Sequence, residues 1–168
     1  KNVEILTFSS GSVSYSISNN LPTGSINISG DAIQKQILSA ISTLVDPNGL
    51  GTFTYQWSAN GKAITGATND TFTLTQSEVG KSISVTVAYT DGNGKKESFT
   101  SQTTALVKNV NDPPTGNITI SGTVAKGQTL TETNTIADLD GLGTFSYQWQ
   151  SSSDGTTWSA ISGATKTS

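Results

Sequence analysis

The chain of 168 residues contains no cysteine and no histidine, and all nine of its basic residues are lysines. Without cysteine no disulfide can stabilise the fold, and without either residue the usual ligands of zinc, copper and haem iron are missing. Any bound metal ion must therefore be held by oxygen atoms. The same absences remove the commonest general base and the thiol nucleophile of enzymes, so we do not expect an enzyme.

Charged residues and long apolar runs are also scarce. Only 12% of the residues are charged, and the net charge is −3. We expect no nucleic-acid partner, because binding to phosphates requires clustered lysine and arginine. No apolar run approaches the length of a membrane span, so we expect none. The sequence at Lys1 has no signal-peptide pattern, and an export signal would have to lie outside these residues.

An internal repeat is the strongest feature that is present. Residues 19–57 recur without a gap at residues 111–149. Both copies open with Asn-x-x-Pro-Thr-Gly-x-Ile-x-Ile-Ser-Gly and close with Gly-Leu-Gly-Thr-Phe-x-Tyr-Gln-Trp. A period of about 90 residues corresponds to a complete small domain rather than to a solenoid unit. We therefore predict an N-terminal strand segment at residues 1–18, a first repeat at residues 19–110 and an incomplete second repeat at residues 111–168.

Within the repeat, short segments of alternating polarity are separated by glycine, asparagine and aspartate, which is typical of a β-sandwich or barrel. This alternation predicts strands at residues 25–29, 52–58, 71–74, 82–90 and 96–107. Residues 31–45 have near-helical apolar spacing, but their threonine-rich counterpart in the second copy favours a strand. The capping-box spacing of Thr75 and Glu78 predicts a single helical turn.

The segments VDPNGLGTFTYQWSANGKAITGATND and ADLDGLGTFSYQWQSSSDGTTWSAISGAT resemble immunoglobulin-like repeats of large bacterial adhesins exported by type I secretion. The resemblance implies an all-β chain of immunoglobulin-like β-sandwiches in tandem, with Trp57 in the central strand of its core. It also implies an extracellular spacer or stalk at the cell surface. Its partners would be neighbouring repeats or subunits of the same protein, a surface glycan, or the host or biofilm matrix.

The junction Asn109-Val110-Asn111-Asp112-Pro113-Pro114 resembles the linkers of cadherin-like repeats, in which aspartate and asparagine oxygens hold calcium between domains. This resemblance implies a calcium site at Asn111 and Asp112, with Asp91 as a further ligand. Calcium prefers six to eight oxygen ligands, which two domain ends and a linker can supply. A linker stiffened by proline without metal is the alternative.

Two acidic turns are weaker calcium candidates. Asp138-x-Asp140-Gly141, like Asp46-x-Asn48-Gly49 in the first copy, resembles the opening of a calcium loop. The favoured alternative is a turn in which the side chain of the first aspartate bonds its own backbone.

The second repeat has no counterpart of the strands predicted at residues 82–90 and 96–107. We expect this to expose an apolar face made of Ile118, Ile120, Phe145, Tyr147 and Trp149. Either the chain is a fragment of a longer protein, or strands exchanged between neighbouring subunits complete the sandwich and build a filament. Residues 3–8 and 13–17 are candidate donor strands.

Trp158 lies in an insertion that the first copy lacks. An aromatic side chain on a hairpin can stack on a sugar, which would make the chain a carbohydrate-binding module. The more ordinary alternative is that Trp158 packs against its own sheet.

Overall fold

The computed structural model describes residues 7–9, 12–14 and 19–168. Most of the candidate donor strands at residues 3–8 and 13–17 therefore lies outside the described residues. The chain forms two compact units, which we call unit 1 (Lys1–Val110) and unit 2 (Asn111–Ser168). The division falls where the second copy of the repeat begins.

The described residues form short antiparallel β-strands and one 3-10 turn, η1 (Gln76–Glu78), so the all-β prediction is confirmed. The strands are β1 (Thr7–Ser9), β2 (Ser12–Ser14), β3 (Ile26–Ser29), β4 (Ile37–Ser42), β5 (Thr54–Ala59), β6 (Lys62–Ala63), β7 (Thr71–Thr73), β8 (Ile83–Thr90), β9 (Lys96–Thr100), β10 (Ile118–Ser121), β11 (Thr131–Asn134), β12 (Gln150–Ser151) and β13 (Ser159–Ala160). In this part of the chain, no helix has the length and apolar character that crossing a membrane requires.

Unit 1 has a β-sandwich-like arrangement of two sheets around one core. One sheet has the order β3-β4-β7 and the other the order β6-β5-β8-β9. The longest ladder joins β5 to β8, and Trp57 lies opposite Val85 in it. The core takes side chains from both sheets and from the connections between them: Ile26, Leu38, Leu44, Trp57, Ala67, Leu74, Ile83, Val85, Val87, Tyr89 and Val107.

The segment with near-helical spacing, residues 31–45, contains a strand as its second copy predicted, but the strand is shorter than predicted and covers only Ile37–Ser42. β4 pairs with β3 on one side and β7 on the other. Leu38 is fully buried, whereas Ile37 next to it is exposed, as expected when successive side chains point to opposite faces. Pairing on both edges satisfies the backbone of β4, and this tertiary constraint overrides the local apolar spacing.

The capping box before β8 is also confirmed. The Thr75 hydroxyl accepts the N–H of Ser77, and the Glu78 carboxylate accepts the N–H of Thr75 at 3.0 Å. Glu78 is buried by this reciprocal bonding, and Val79 packs against the core directly after the turn. The turn thus satisfies its own backbone groups while the chain passes from β7 to β8.

The predicted continuation of the last strand beyond Thr100 is wrong. The hydroxyl of Ser101 accepts the N–H of Val85 at 3.1 Å. The hydroxyl of Thr104 likewise accepts the N–H of Ile83 at 3.0 Å. Because hydroxyl oxygens replace backbone carbonyls as acceptors there, the chain follows β8 without continuing the regular ladder of β9.

Unit 2 repeats the local structure of unit 1 with fewer strands. In the described residues it has two two-stranded sheets, β10-β11 and β12-β13. Gly24 and Gly116, the glycines of the two Pro-Thr-Gly motifs, both have φ values near +100° (99° and 95°). A Cβ on either would collide with a backbone carbonyl, that of Thr43 or of Thr135. Only glycine fits this conformation, which explains why the motif recurs.

The two tryptophans at the end of the repeated stretch make the same hydrogen bonds. The indole N–H of Trp57 donates to the carbonyl of Asn69 at 2.9 Å. The indole of Trp149 donates to the carbonyl of Lys166 at 2.7 Å. Trp57 is fully buried, and Trp149 is partly exposed. The indole hydrogen bond is therefore common to both units, whereas the depth at which the tryptophan is buried is not.

Adjacent residues of β4 provide a test of this core. Leu38→Ala should destabilise unit 1 by about 2–5 kcal/mol, because it removes a fully buried side chain and leaves a cavity. Ile37→Ala, on the opposite face, should change the stability by less than about 0.5 kcal/mol. Urea denaturation of both variants measures the difference, and equal effects would contradict the assignment of faces.

Candidate functional site

The two acidic turns are closed by their own side chains. Asp46 accepts the N–H of Asn48 at 2.8 Å, and Asp138 accepts the N–H of Asp140 at 2.8 Å. In both, the carbonyl of the first aspartate also accepts the N–H of the following glycine. This is the bonding of an Asx turn, which accounts for the recurrence of Asp-x-(Asn/Asp)-Gly on structural grounds.

Each turn also holds the start of its repeat. The side-chain oxygen of Asn48 accepts the backbone N–H of Asn20 at 2.6 Å. The carboxylate of Asp140 accepts the backbone N–H of Asp112, also at 2.6 Å. Asn20 and Asp112 occupy the same position in the two copies. The third residue of the turn therefore anchors the chain where each repeat begins, and it is neutral in one copy and charged in the other.

Asp91 organises the turn between β8 and β9. One carboxylate oxygen accepts the N–H groups of Asn93 and Lys95, at 2.9 and 2.7 Å. The other, Oδ2, is buried and makes no hydrogen bond to any described residue. Since the whole side chain is only 5% exposed, this oxygen has also lost contact with water. A buried carboxylate oxygen without a donor is costly, and a bound cation would satisfy it.

This turn contacts the first acidic turn of the same unit. The N–H of Gly92 donates to the carbonyl of Asn48 at 3.1 Å. The phenol of Tyr89 donates to the second carboxylate oxygen of Asp46 at 2.8 Å. Burial is the main cause that raises the pKa of Tyr89, followed by this hydrogen bond and by the charges of Asp46, Glu97 and Asp91. The carboxylates of Asp46, Glu97 and Asp91 and the phenol of Tyr89 thus lie close together near the start of the first repeat.

The five predicted calcium ligands fall into two groups. Asn111, Asp112, Asp138 and Asp140 lie in unit 2, where Asp140 bonds to Asp112 and Asp138 bonds to Asp140. Asp91 lies in unit 1, just after the end of β8. The last residues of unit 1 lie beside the start of that strand, since the N–H of Val107 donates to the carbonyl of Lys81. Asp91 and the last residues of unit 1 are therefore at opposite ends of β8.

Asp91 therefore accompanies Asp46, Asn48 and Tyr89. The sequence analysis named Asp46 and Asn48 as a separate turn, because they align with Asp138 and Asp140, but it did not place them with Asp91 and did not name Tyr89. In the described residues, no group of three or more acidic side chains is placed to hold a metal ion by itself. A cation at either end would need amide and carbonyl oxygens as well.

Trp158 does not pack into its own sheet. Its side chain is 58% exposed and lines an open cleft of about 370 Å³ in unit 2. The cleft is also lined by Ile118, Ile120, Tyr147 and Trp149. The loop before Trp158 is ordered by Asp154, whose carboxylate accepts the N–H groups of Thr157 and Thr156 and the hydroxyl of Ser152. These bonds lower the pKa of Asp154 well below its usual value.

Comparison with known proteins adds one match. Residues 116–168 match a protein family described as a domain of unknown function (DUF8696). No curated protein and no solved structure matches the chain. The matched segment lies within unit 2 and begins at Gly116, the glycine of the second Pro-Thr-Gly motif.

The Tyr89–Asp46 hydrogen bond gives a testable contribution to stability. Tyr89→Phe should destabilise unit 1 by about 1–3 kcal/mol, because it leaves a buried carboxylate oxygen of Asp46 without a donor. The same change at the half-buried Tyr55 is the control and should have little effect. Thermal or urea denaturation at neutral pH measures both.

The effect should also depend on pH in one direction. The pKa of Tyr89 is raised above its ordinary value of 10.0, so the folded state holds the phenol proton more tightly than the unfolded chain. The contribution of the protonated phenol to the stability of the fold is therefore complete below about pH 10. It is lost as the pH rises above about 10 toward the higher pKa of Tyr89 in the folded state. The stability difference between the native chain and Tyr89→Phe should therefore narrow above about pH 10. A difference that stays constant to high pH would refute the role of the phenol.

Proposed function

We propose that the chain is a structural and adhesive segment of an extracellular bacterial surface protein, in which tandem immunoglobulin-like β-sandwiches act as a spacer or stalk. The strand orders β3-β4-β7 and β6-β5-β8-β9 support this class, because two antiparallel sheets of three and four strands resemble the sheets of immunoglobulin-like domains. The central position of Trp57 in β5 supports it too. The recurrence of the same turns and indole bonds in unit 2 supports an array.

The single observation that carries the mechanical role is the pairing of the connection between β3 and β4 with the last residues of unit 1. Ile33 and Lys108 form a parallel bridge. The N–H of Lys108 donates to the carbonyl of Ala32, and the N–H of Gln34 donates to the carbonyl of Lys108, both at 2.9 Å. The side chain of Gln34 also accepts the N–H of Val110 at 2.9 Å. We call this set the terminal clamp.

Force on the C-terminal end of unit 1 acts directly on the terminal clamp, whereas force on the N-terminal side passes first through the Thr23–Val45 bridge and the ladder of β3 and β4. Once the force reaches Ile33, it loads the clamp in shear. Parallel segments pulled in opposite directions must break their hydrogen bonds together rather than one at a time. Gln34 is buried, so water does not readily replace the bonds of the clamp. A domain held in this way suits a stalk that keeps an adhesive tip away from a cell.

Calcium belongs to the same proposal. We infer that Asn111, Asp112, Asp138 and Asp140 hold calcium at the N-terminal end of unit 2, together with backbone carbonyls. Asp91 would be a calcium ligand near the start of the first repeat, where its Oδ2, which has no hydrogen-bond donor, is the oxygen that most favours a cation. Calcium at these ends would stiffen the array.

Two other functions have one supporting observation each. The exposed indole of Trp158 in an open cleft favours a carbohydrate-binding module. The exposed apolar side chains of unit 2 favour a filament subunit completed by strand exchange. The stalk accounts for the complete sandwich of unit 1 as well as for the repeat in unit 2, whereas each of these observations concerns unit 2 alone.

Single-molecule stretching of the chain tests the stalk. Unit 1 should unfold in one abrupt event that releases roughly 300 Å of chain, since each residue spans about 3.3–3.6 Å when extended. Gln34→Ala should lower the unfolding force because it removes one bond of the terminal clamp. Tyr89→Phe also loses one buried hydrogen bond, but outside the clamp, and should leave the force closer to that of the native chain.

Gradual extension without a force peak would contradict the mechanical role.

The calcium proposal is tested separately, by titration calorimetry with millimolar calcium. Asp140→Asn should weaken the heat of binding while keeping the turn, because asparagine is the natural residue at the equivalent position 48. Asp154→Asn, which changes an acidic residue outside both ends, should bind like the native chain. Absence of heat in the native chain would rule out calcium and leave the stalk itself standing.

A further inference from the structure

Unit 2 exposes an apolar face whose counterpart in unit 1 is buried. Ile26 is 3% exposed, whereas Ile118, at the same position of the second copy, is 61% exposed. Ile120 is also exposed, whereas its counterpart Ile28 packs against the core of unit 1. The residue types are identical, so the difference comes from what lies against them.

In unit 1 the covering element is β8, supported by β9. β8 pairs with β5 so that Val85 lies opposite Trp57 and Val87 opposite Tyr55. The large apolar side chains of β8, Ile83, Val85, Val87 and Tyr89, occupy alternate positions and are all buried. An eight-residue strand in which large apolar residues alternate with small ones thus closes the sandwich.

The corresponding backbone edge of unit 2 is open. Trp149 uses its N–H and its carbonyl on one side, toward Ala164 and Ile161, as Trp57 does in unit 1. In an antiparallel sheet the neighbouring residues point their backbone groups the other way, so those of Gln148 and Gln150 face the second edge. Among the described residues, no strand pairs with that edge.

We propose that this edge of unit 2 binds a β-hairpin of the type formed by β8 and β9, in antiparallel register with an apolar β-branched residue opposite Trp149. The partner is a hairpin of this type that is not already part of a complete sandwich. The β8 of a second copy of this chain does not meet that condition, because it is buried in unit 1 and could be released only by unfolding. A sugar fits less well, because two isoleucines line the cleft beside its aromatic residues.

This inference deepens the tandem-repeat function proposed above, and a labelled peptide with the sequence of residues 81–108 tests it. The peptide should bind the 168-residue chain saturably with one-to-one stoichiometry. Binding should slow the hydrogen exchange of the Gln148 and Gln150 amides by at least tenfold. The amide of Trp149, already bonded to Ala164, should change much less.

Matched variants locate the binding. A peptide with Val85→Asp and Val87→Asp should bind at least tenfold more weakly. Ile118→Thr in the chain should weaken binding, and because Ile118 is exposed the free chain should remain folded. Ile37→Thr, an equally exposed change in unit 1, should leave the affinity unchanged.

Three results would overturn the inference. One is the absence of saturable binding, and the second is binding that Ile118→Thr does not weaken. The third is another occupant, shown either by self-association of the chain that the peptide fails to disperse or by glycan binding that Trp158→Ala abolishes. None of them would alter the force response of unit 1, so failure here is distinguishable from failure of the stalk proposal.

Discussion

The arrangement of unit 1 depends on one side chain, the indole of Trp57, and on the strand that covers it. The indole N–H is bonded to the carbonyl of Asn69, so the largest core residue is buried without an unsatisfied donor. One face of the ring stacks on Phe72 from the other sheet, with ring centroids 5.8 Å apart. β8 then closes the remaining side through Val85. The two sheets meet because both contribute to the enclosure of this ring.

Unit 2 shows what the same sequence pattern does without the covering strand. Trp149 keeps its indole bond to Lys166, so that bond does not require a complete core. The isoleucines of β10 stay exposed, however, because burial depends on contacts from distant parts of the chain. Local hydrogen bonding and apolar enclosure are thus separable in this repeat, and it is the lack of enclosure that leaves the sheet edge of unit 2 open to a partner.

The sequence predicted those features that short-range chemistry determines. The capping box of Thr75, the strand β8 and the inward tryptophans all follow from local pattern or from the repeat. It did not predict the end of β9, because hydroxyl groups that compete with backbone carbonyls leave no periodic signal. Nor did it bring the turn that contains Asp91 against the turn that contains Asp46, since the hydrogen bond between Gly92 and Asn48 joins residues distant in sequence. The calcium ligands remain a prediction.

Hydrogen exchange of the three indole N–H groups, followed by NMR, tests the central claim most directly. Trp57 should exchange only as unit 1 unfolds, because its indole is both bonded and fully buried. Trp149 should exchange faster, since its bond lies in a partly exposed site, and Trp158 should be fastest. Exchange of Trp57 as fast as that of Trp158 would contradict the account.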